Sequence, residues 1–385
     1  MTMTVLDRAR AWRRRLHQRP GLAFDVAETA QLLDEALEDL GWSVQRGIAE
    51  HGLVASLRRG SSSRAIALRS DMDGLAIDEA TGVEHASRNP GVMHACGHDG
   101  HMSMLLGAAA VLAQRNDFDG TVHLFFQPAE EPGRGALAMI EEGVFERFPV
   151  EAIYGLHNIP SLPAGTLHTR PGPIMSAEDN FVIRIVGRGG HASMPHLVID
   201  PLVIGAELVT ALQTIVSRSI PATESAVVSC TELHTDGARN AIAGEAVIRG
   251  DVRTFRAADS ELIERRVREL AAGIAAAHSA GCEVEYTREF RTTVNDERCT
   301  EVAAAAAVAA VGADRVDAHC ERLMASEDFG EFARVVPGCF VLLGSAPVDG
   351  SPAAPLHSRL YDFNDEVLQT GIDFYTKLVA AVLAR

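Results

Sequence analysis

The sequence predicts an α/β fold: a mixed-sheet domain interrupted by a smaller α+β domain of ferredoxin-like order. Three observations carry this. Short apolar runs alternate with helical patterns, and three runs end in ionisable groups at Asp71-Met-Asp73, Glu130-Glu131 and His157. Between about residues 180 and 290 the order becomes β-α-β-β-α-β, the split arrangement of a self-contained small domain. After about Thr292 the first pattern resumes, so the small domain reads as an insertion. The expected boundaries are 1–178 with 292–385 for the larger domain and 179–291 for the insert.

At 385 residues the chain exceeds one ordinary core, and a hydrophobic share of 47% can supply two. No apolar run reads as long and charge-free enough to span a bilayer. The N-terminal stretch with Arg8, Arg10, Arg13, Arg14 and Arg15 lacks the apolar segment of a signal peptide. A net charge of −17 argues against nucleic acid and anionic membranes as partners. Cys96, Cys230, Cys282, Cys299, Cys320 and Cys339 are scattered, unlike a disulfide framework, so a reducing cytoplasm is the expected location. Lys377 is the only lysine, which excludes a P-loop and disfavours Schiff-base chemistry. No Gly-x-Ser-x-Gly elbow is present. These exclusions point toward a metal.

Taken in order, two helices open the chain. The second is expected to start at Asp25, with Glu28 completing a capping box, and to stop at Gly41. Gly52 to Leu57 and Ala65 to Arg69 read as strands, the latter running into Ser70-Asp71-Met72-Asp73-Gly74. Met93 to His101 reads Met-His-Ala-Cys-Gly-His-Asp-Gly-His. Cys96 and His98 are two apart and cannot share a helix face, so an irregular backbone is expected there. Gly97 and Gly100 would permit it, with the helix beginning at His101. Thr121 to Phe126 reads as a strand delivering Gln127-Pro-Ala-Glu-Glu-Pro132, whose prolines keep the acidic pair out of a helix. A helix from Arg134 to Glu142 follows, then a strand from Ala152 to Leu156 ending in His157-Asn158. Three strands thus leave ionisable groups at one end, where open α/β sheets place their sites. In the insert, Phe181 to Val186, Ala226 to Leu233, Glu245 to Phe255 and Cys282 to Tyr286 read as strands. Asp200-Pro201 starts a helix reaching about Ser217, and Ser260 to His278 forms another. Val302 to Val311 and Glu366 to Leu383 read as helices, with a strand at Phe340 to Gly344 between them.

The soft and borderline ligands crowded into Met93 to His101 read as a metal site. Asp71, Asp73 and Asp99 are candidate acceptors orienting metal-bound groups, with turn or N-cap roles equally open. His94 and His101 read as structural or outer-lying. His17, His51, His85, His123, His168, His234, His278 and His319 carry no motif and read as solvated or core. The five cysteines other than Cys96 read as small buried hydrophobes.

Together the motifs resemble the M20 metallopeptidase and amidohydrolase family, most of all its N-acyl-amino-acid amidohydrolases, which include hippurate hydrolases and auxin-conjugate hydrolases. The resemblance rests on Arg69-Ser-Asp-Met-Asp-Gly-Leu75, Met93 to His101, Phe126-Gln-Pro-Ala-Glu-Glu131, Gly155-Leu-His157, Gly187-Arg-Gly-Gly-His-Ala-Ser-Met-Pro-His196, Ser326-Glu-Asp-Phe329 and Leu356-His357. It implies a mixed-sheet metallohydrolase catalytic domain with an inserted lid and dimerisation domain. It also implies two divalent metal ions, manganese or zinc, with nickel and cobalt open. Cys96 would be the bridging thiolate, His98, Glu131, His157 and His357 the remaining ligands, and Glu130 the general base. A homodimer through the insert would let His191 donate to the oxyanion in the partner's site, with Asn240 assisting. Where the family motif continues in glycines, this chain has Pro132-Gly133-Arg134-Gly135, so Arg134 stands at the substrate entrance or as a surface arginine. The implied reaction cleaves a small-molecule N-acyl amino acid to a carboxylic acid and a free amino acid. Dipeptidase or carboxypeptidase chemistry, or a catalytically silent binding relative, are the alternatives; cysteine and histidines in place of an aspartate-rich set favour the amidohydrolase branch. A cytidine-deaminase reading fails because no Pro-Cys-x-x-Cys follows the histidine motif.

Overall fold

The computed structural model describes residues 3–385. They divide into two compact units. Unit 1 contains the residues through Ile174, Thr293–Glu321 and Glu327–Arg385; unit 2 contains Met175–Thr292 and Arg322–Ser326. The return of Arg322–Ser326 to unit 2 has no counterpart in the expected boundaries.

Unit 1 opens with helix α1 (Val5–His17), whose N-cap Thr4 exchanges side-chain and backbone bonds with Asp7 in a capping box. Helix α2 (Ala27–Asp39) departs from expectation: its N-cap is Val26, without a side-chain bond. Asp25 instead bonds Leu22 in a tight turn, its amide 2.8 Å from the Leu22 carbonyl. Gly41 does end the helix, in the left-handed conformation at φ 80° that glycine tolerates.

Strands β1 (Ser43–Ile48), β2 (Gly52–Arg59) and β3 (Ala65–Asp71) follow, then helix α3 (His98–Ala113), β4 (Gly120–Gln127), helix α4 (Gly135–Glu141) and β5 (Ala152–Ile159). β1 went unread because its side chains are mostly exposed and carry no apolar alternation. The eight-stranded sheet has the order β1, β2, β4, β3, β5, Gly338–Gly344, Leu167–His168, Val316–Asp317. β4, β3, β5 and Gly338–Gly344 are mutually parallel, and β1 and β2 add an antiparallel edge. The middle strands are buried along their whole lengths, as parallel strands covered on both faces must be. Their common direction puts Asp71, the turn after Gln127 and His157 at one end of the sheet.

Helix α3 begins at His98, three residues earlier than expected. Gly97 makes the turn into it at φ 94°. Gly100 is ordinary helix; its role is close approach, because a Cβ there would lie 2.3 Å from the Phe363 ring.

Unit 2 is a four-stranded antiparallel sheet ordered Ala226–Thr235, Glu245–Thr254, Ala177–Val186, Gly281–Phe290. With its helices in sequence this is the ferredoxin-like order. Asp200 caps the helix Pro201–Leu212, accepting from the Leu202 amide. Ile204, Leu208, Leu212 and Ile215 pack on Phe181, Ile183 and Ile185 of the sheet. The stretch Pro201–Ser219, with mean hydropathy 1.2, is long and apolar enough by composition to cross a membrane, although it carries Glu207 and Arg218 and so is not free of charge. Its buried face belongs to this core, while Leu202 and Val203 stand exposed.

Candidate metal centre

Five predicted side chains meet at the carboxyl end of the unit 1 sheet. Ligand atoms of Cys96, His98 and His157 lie within 4.8 Å of one another, and so do those of Cys96, Glu131 and His357. The Cys96 sulfur is therefore common to two triads. It stands 3.4 Å from His157 Nε2. Glu131 divides its oxygens, with Oε1 3.8 Å from His98 Nε2 and Oε2 3.7 Å from His357 Nε2. Glu130 Oε2 is 3.9 Å from His98 Nε2.

The surroundings fix which atoms point inward. His98 donates from Nδ1 to the Asp73 carbonyl at 2.9 Å, and His157 donates from Nδ1 to the Asn158 carbonyl at 2.8 Å. Both rings thus turn Nε2, with its lone pair, into the cluster. Asp73 takes the Glu130 amide at 3.1 Å on one oxygen and the Glu131 amide at 3.2 Å on the other, so one carboxylate holds the acidic turn. Ala129 at φ 51° and His357 at φ 62° are non-glycine residues in the left-handed region. Such strain collects where a site must override local preference. The His357 amide is anchored to the Ala95 carbonyl at 2.8 Å. Two buried atoms without any hydrogen-bond partner, His98 Nε2 and Glu131 Oε1, face each other across the cluster. Imidazole, thiolate and carboxylate atoms so placed fit divalent cations.

The model of peptidase family M20/M25/M40 matches residues 67–381. The chain belongs to that family. It is 36% identical to the hippurate hydrolase of Campylobacter jejuni over 96% of this chain and 95% of that protein. It is 34% identical to thermostable carboxypeptidase 1 of Saccharolobus solfataricus over 93% of this chain and 91% of that one. Among solved structures it resembles the YXEP protein of Bacillus subtilis, a dinuclear metal binding peptidase from the M20 family, with TM-score 0.83, 31% identity and 98% of both chains covered.

In this M20 chain the cluster is poised for positive charge. Burial raises the Glu130 carboxyl well above its usual range, with Glu327 and Glu131 adding to it. Burial also lifts Glu131, to about 7, against the pull of His98. The Cys96 thiol is raised by burial and by Glu131. Burial and His101 lower His157. A cation among them would favour the thiolate and carboxylate forms of Cys96, Glu130 and Glu131, whereas His157 is already held neutral.

Around the donors lies a buried polar frame that M20 motifs place in sequence but do not explain. Arg69 bonds Gln127 at 2.8 Å, Asp71 at 2.9 Å, Glu327 at 2.9 Å and Asp328 at 3.1 Å. Asp71 passes this on to His101 Nδ1 at 2.7 Å. His101 Nε2 lies 2.6 Å from Asn158 Oδ1 and 3.1 Å from the Asn158 amide nitrogen, and the Asn158 side chain donates to Tyr361 at 2.7 Å. Asp73 holds the acidic turn, while ligand atoms of Asp71 and His101 also come within 4.8 Å of one another and of His98. Asp99 lies in a separate ion network with Arg13 and His17. His94 is buried with both nitrogens unpartnered, its pKa pulled down to about 3 by that burial, and it joins no ligand group. Arg13, His17, Arg69, Glu327 and Asp328 carry roles that motif reading left unassigned. The usable signal was position: Ala9, Arg13 and Leu16 share the buried face of α1.

His191 and Asn240 lie in unit 2. His191 pairs with Ala241 across a short ladder, and the Ala192 amide bonds the Asn240 carbonyl at 3.1 Å. The Ser193 amide donates to His191 Nδ1 at 3.2 Å, which leaves Nε2 as the N–H donor on an exposed ring. Cys299, Cys320 and Cys339 are buried as expected, but Cys230 and Cys282 are only half-buried.

Proposed function

We propose that this chain is a dinuclear metal-dependent amidohydrolase cleaving N-acyl amino acids, hippurate-like substrates among them, to a carboxylic acid and a free amino acid. The observation that carries the reading is the sulfur shared between two ligand triads. Cys96, His98 and His157 would hold one ion, and Cys96, Glu131 and His357 the other. Manganese and zinc suit this donor set best, with nickel and cobalt accepted by it too. The ions supply positive charge that acidifies water and polarises the amide carbonyl.

The chain's own residues do the rest. Glu130, beside the donors and held by Asp73 through its amide, accepts the proton of the attacking water and returns it to the departing nitrogen. His191 Nε2–H has the polarity needed to stabilise the oxyanion. Its exposure suits delivery into a partner subunit's site, with Asn240 assisting. The exposed Leu202 and Val203 and the unpaired edge of Ala226–Thr235 suit burial in a homodimer built through unit 2. Six free cysteines suit a reducing cytoplasm. Carboxypeptidase or dipeptidase action is the second reading, favoured by the likeness to thermostable carboxypeptidase 1.

The deciding experiment removes metal with a chelator, restores single divalent ions, and follows products from a panel of N-acyl glycines, other N-acyl amino acids and dipeptides. Activity that depends on metal and prefers acyl amino acids is expected. Full turnover by metal-free protein would sink the reading, and preference for dipeptides would transfer it to the second one.

A further inference from the structure

Arg13 and His17 lie one turn apart on α1, and both are completely buried. Arg13 Nε is 2.9 Å from Asp99 Oδ2, and His17 Nδ1 is 2.8 Å from the same oxygen. Arg13 also bonds Asp362, comes within 3.7 Å of Asp365 and meets His85 Nε2 at 2.7 Å. Asp99 directly follows His98, and Asp362 comes shortly after His357 in sequence. One guanidinium therefore ties the segment carrying Cys96 and His98 to the segment carrying His357. Neighbours reinforce the tie. Tyr361 bonds Asn158, the residue after His157, and the Phe363 ring lies where a Cβ on Gly100 would be.

The tie matters because, beyond the bond from the His357 amide to the Ala95 carbonyl at 2.8 Å, His357 sits in irregular chain. Residues 345–364 form neither helix nor strand, His357 sits at φ 62°, and its side chain is 54% exposed. A strained, half-exposed ligand keeps its place only if its flanks are fixed. A planar fork serving several carboxylates can do this, whereas a flexible ammonium cannot hold them in one geometry.

We propose that Arg13 is a positioning residue of the metal centre, holding His357 against the Cys96–His98 turn so that the Cys96–Glu131–His357 triad is formed before an ion arrives. Helix α1 then supports the metal centre, although it precedes the residues that match the family model. The inference rests on the dinuclear reading above.

The test titrates metal-free full-length protein with zinc against a chromophoric chelator. In R13M one of the two binding steps should weaken about tenfold or more while the other stays within about threefold. D362N, which weakens the link toward His357 together with the contact of Asp362 to His85 at 3.1 Å, should reproduce the selective loss and covers the case that R13M folds poorly. R13K should fall between wild type and R13M. L33A, a core truncation in α2, serves as the control: it should lower the melting temperature yet leave both steps in place. Two unchanged steps in R13M and D362N overturn the role of Arg13 alone. Equal weakening of both steps, matched by L33A at equal loss of melting temperature, reduces Arg13 to general stability and also overturns it. Wild-type protein that binds no zinc overturns the dinuclear reading itself.

Discussion

Both units set helices against a sheet, yet they treat charge in opposite ways. In unit 1, Arg13, His17, Arg69, Asp71, Asp73, His94, His98, Asp99 and His101 are all 0 or 1% exposed. In unit 2 the core is apolar, Phe181 through Ala271, and the histidines 191, 196, 234 and 278 are exposed. Its buried Asp179 is satisfied by Ser260 at 2.6 Å and Tyr286 at 2.8 Å. Burying charge is costly unless each group finds partners, so a unit that buries many charges has to match them one by one. Among the atoms left unmatched, His98 Nε2 and Glu131 Oε1 stand out because they face each other within the ligand cluster. Unit 2 buries far fewer charged groups, Asp179 and Asp259 among them, and displays its histidines instead.

The contrast can be broken most severely at the acidic pair. Glu130→Gln keeps the shape but cannot accept a proton, so turnover should fall by roughly 10²–10⁴ with bound metal retained. Glu131→Gln should lose metal as well. Equal metal loss in both, measured by elemental analysis, would show that the two roles are merged.

The displayed histidine gives the next effect. Glu130→Gln and His191→Ala should each be nearly inactive alone. If His191 serves the partner's site, subunit exchange makes about half the dimers mixed, each with one intact site, and about a quarter of wild-type activity returns. A mixture as dead as its parts despite verified exchange places His191 in its own chain or outside catalysis.

Cysteines sharpen the comparison between units. Cys96→Ser should lower metal content sharply, whereas Cys230→Ser on the unit 2 sheet should leave it unchanged. Unchanged content in Cys96→Ser would make that sulfur a spectator.

The smallest effect concerns His17. Burial lowers its pKa, but Asp99 and Glu79 more than offset this and lift it from 6.5 to about 9. A raised folded-state pKa contributes stability that is fully present below pH 6.5 and lost as pH rises through 9. Wild-type melting temperature should therefore fall across that window more than that of His17→Gln, by about 2–4 °C. Parallel melting curves would show that His17 is not charged in the folded protein.

What the sequence made legible follows from distance along the chain. The Cys96–His98 spacing and the glycine between them announced an irregular turn, and Gly97 at φ 94° makes it. The parallel strands with ionisable ends were readable because each motif sits on its own strand. Asp25 misled because a competing local turn with Leu22 took its place outside the helix. Gly100 misled because the demand on it is a ring packed from far away, not a dihedral. Arg69 and Arg13 could not be assigned partners, since Glu327 lies 258 residues from Arg69 and Asp362 lies 349 from Arg13. Only folding brings such pairs together.

Helix α3 is enclosed on every side, touching α1, α2, β3 and the helix Leu368–Val382, and its first residue is His98. An element with no solvent face cannot take shape until its neighbours collapse onto it. We therefore expect Cys96 and His98 to reach their positions as a result of hydrophobic assembly, not as its trigger, unlike small domains that an ion folds. On this reading the donor cage is expected to be complete before a divalent ion binds. Refolding in chelator should run at the same rate as refolding with zinc, with only the recovery of activity lagging; a refolding rate that rises with ion concentration would reverse that order.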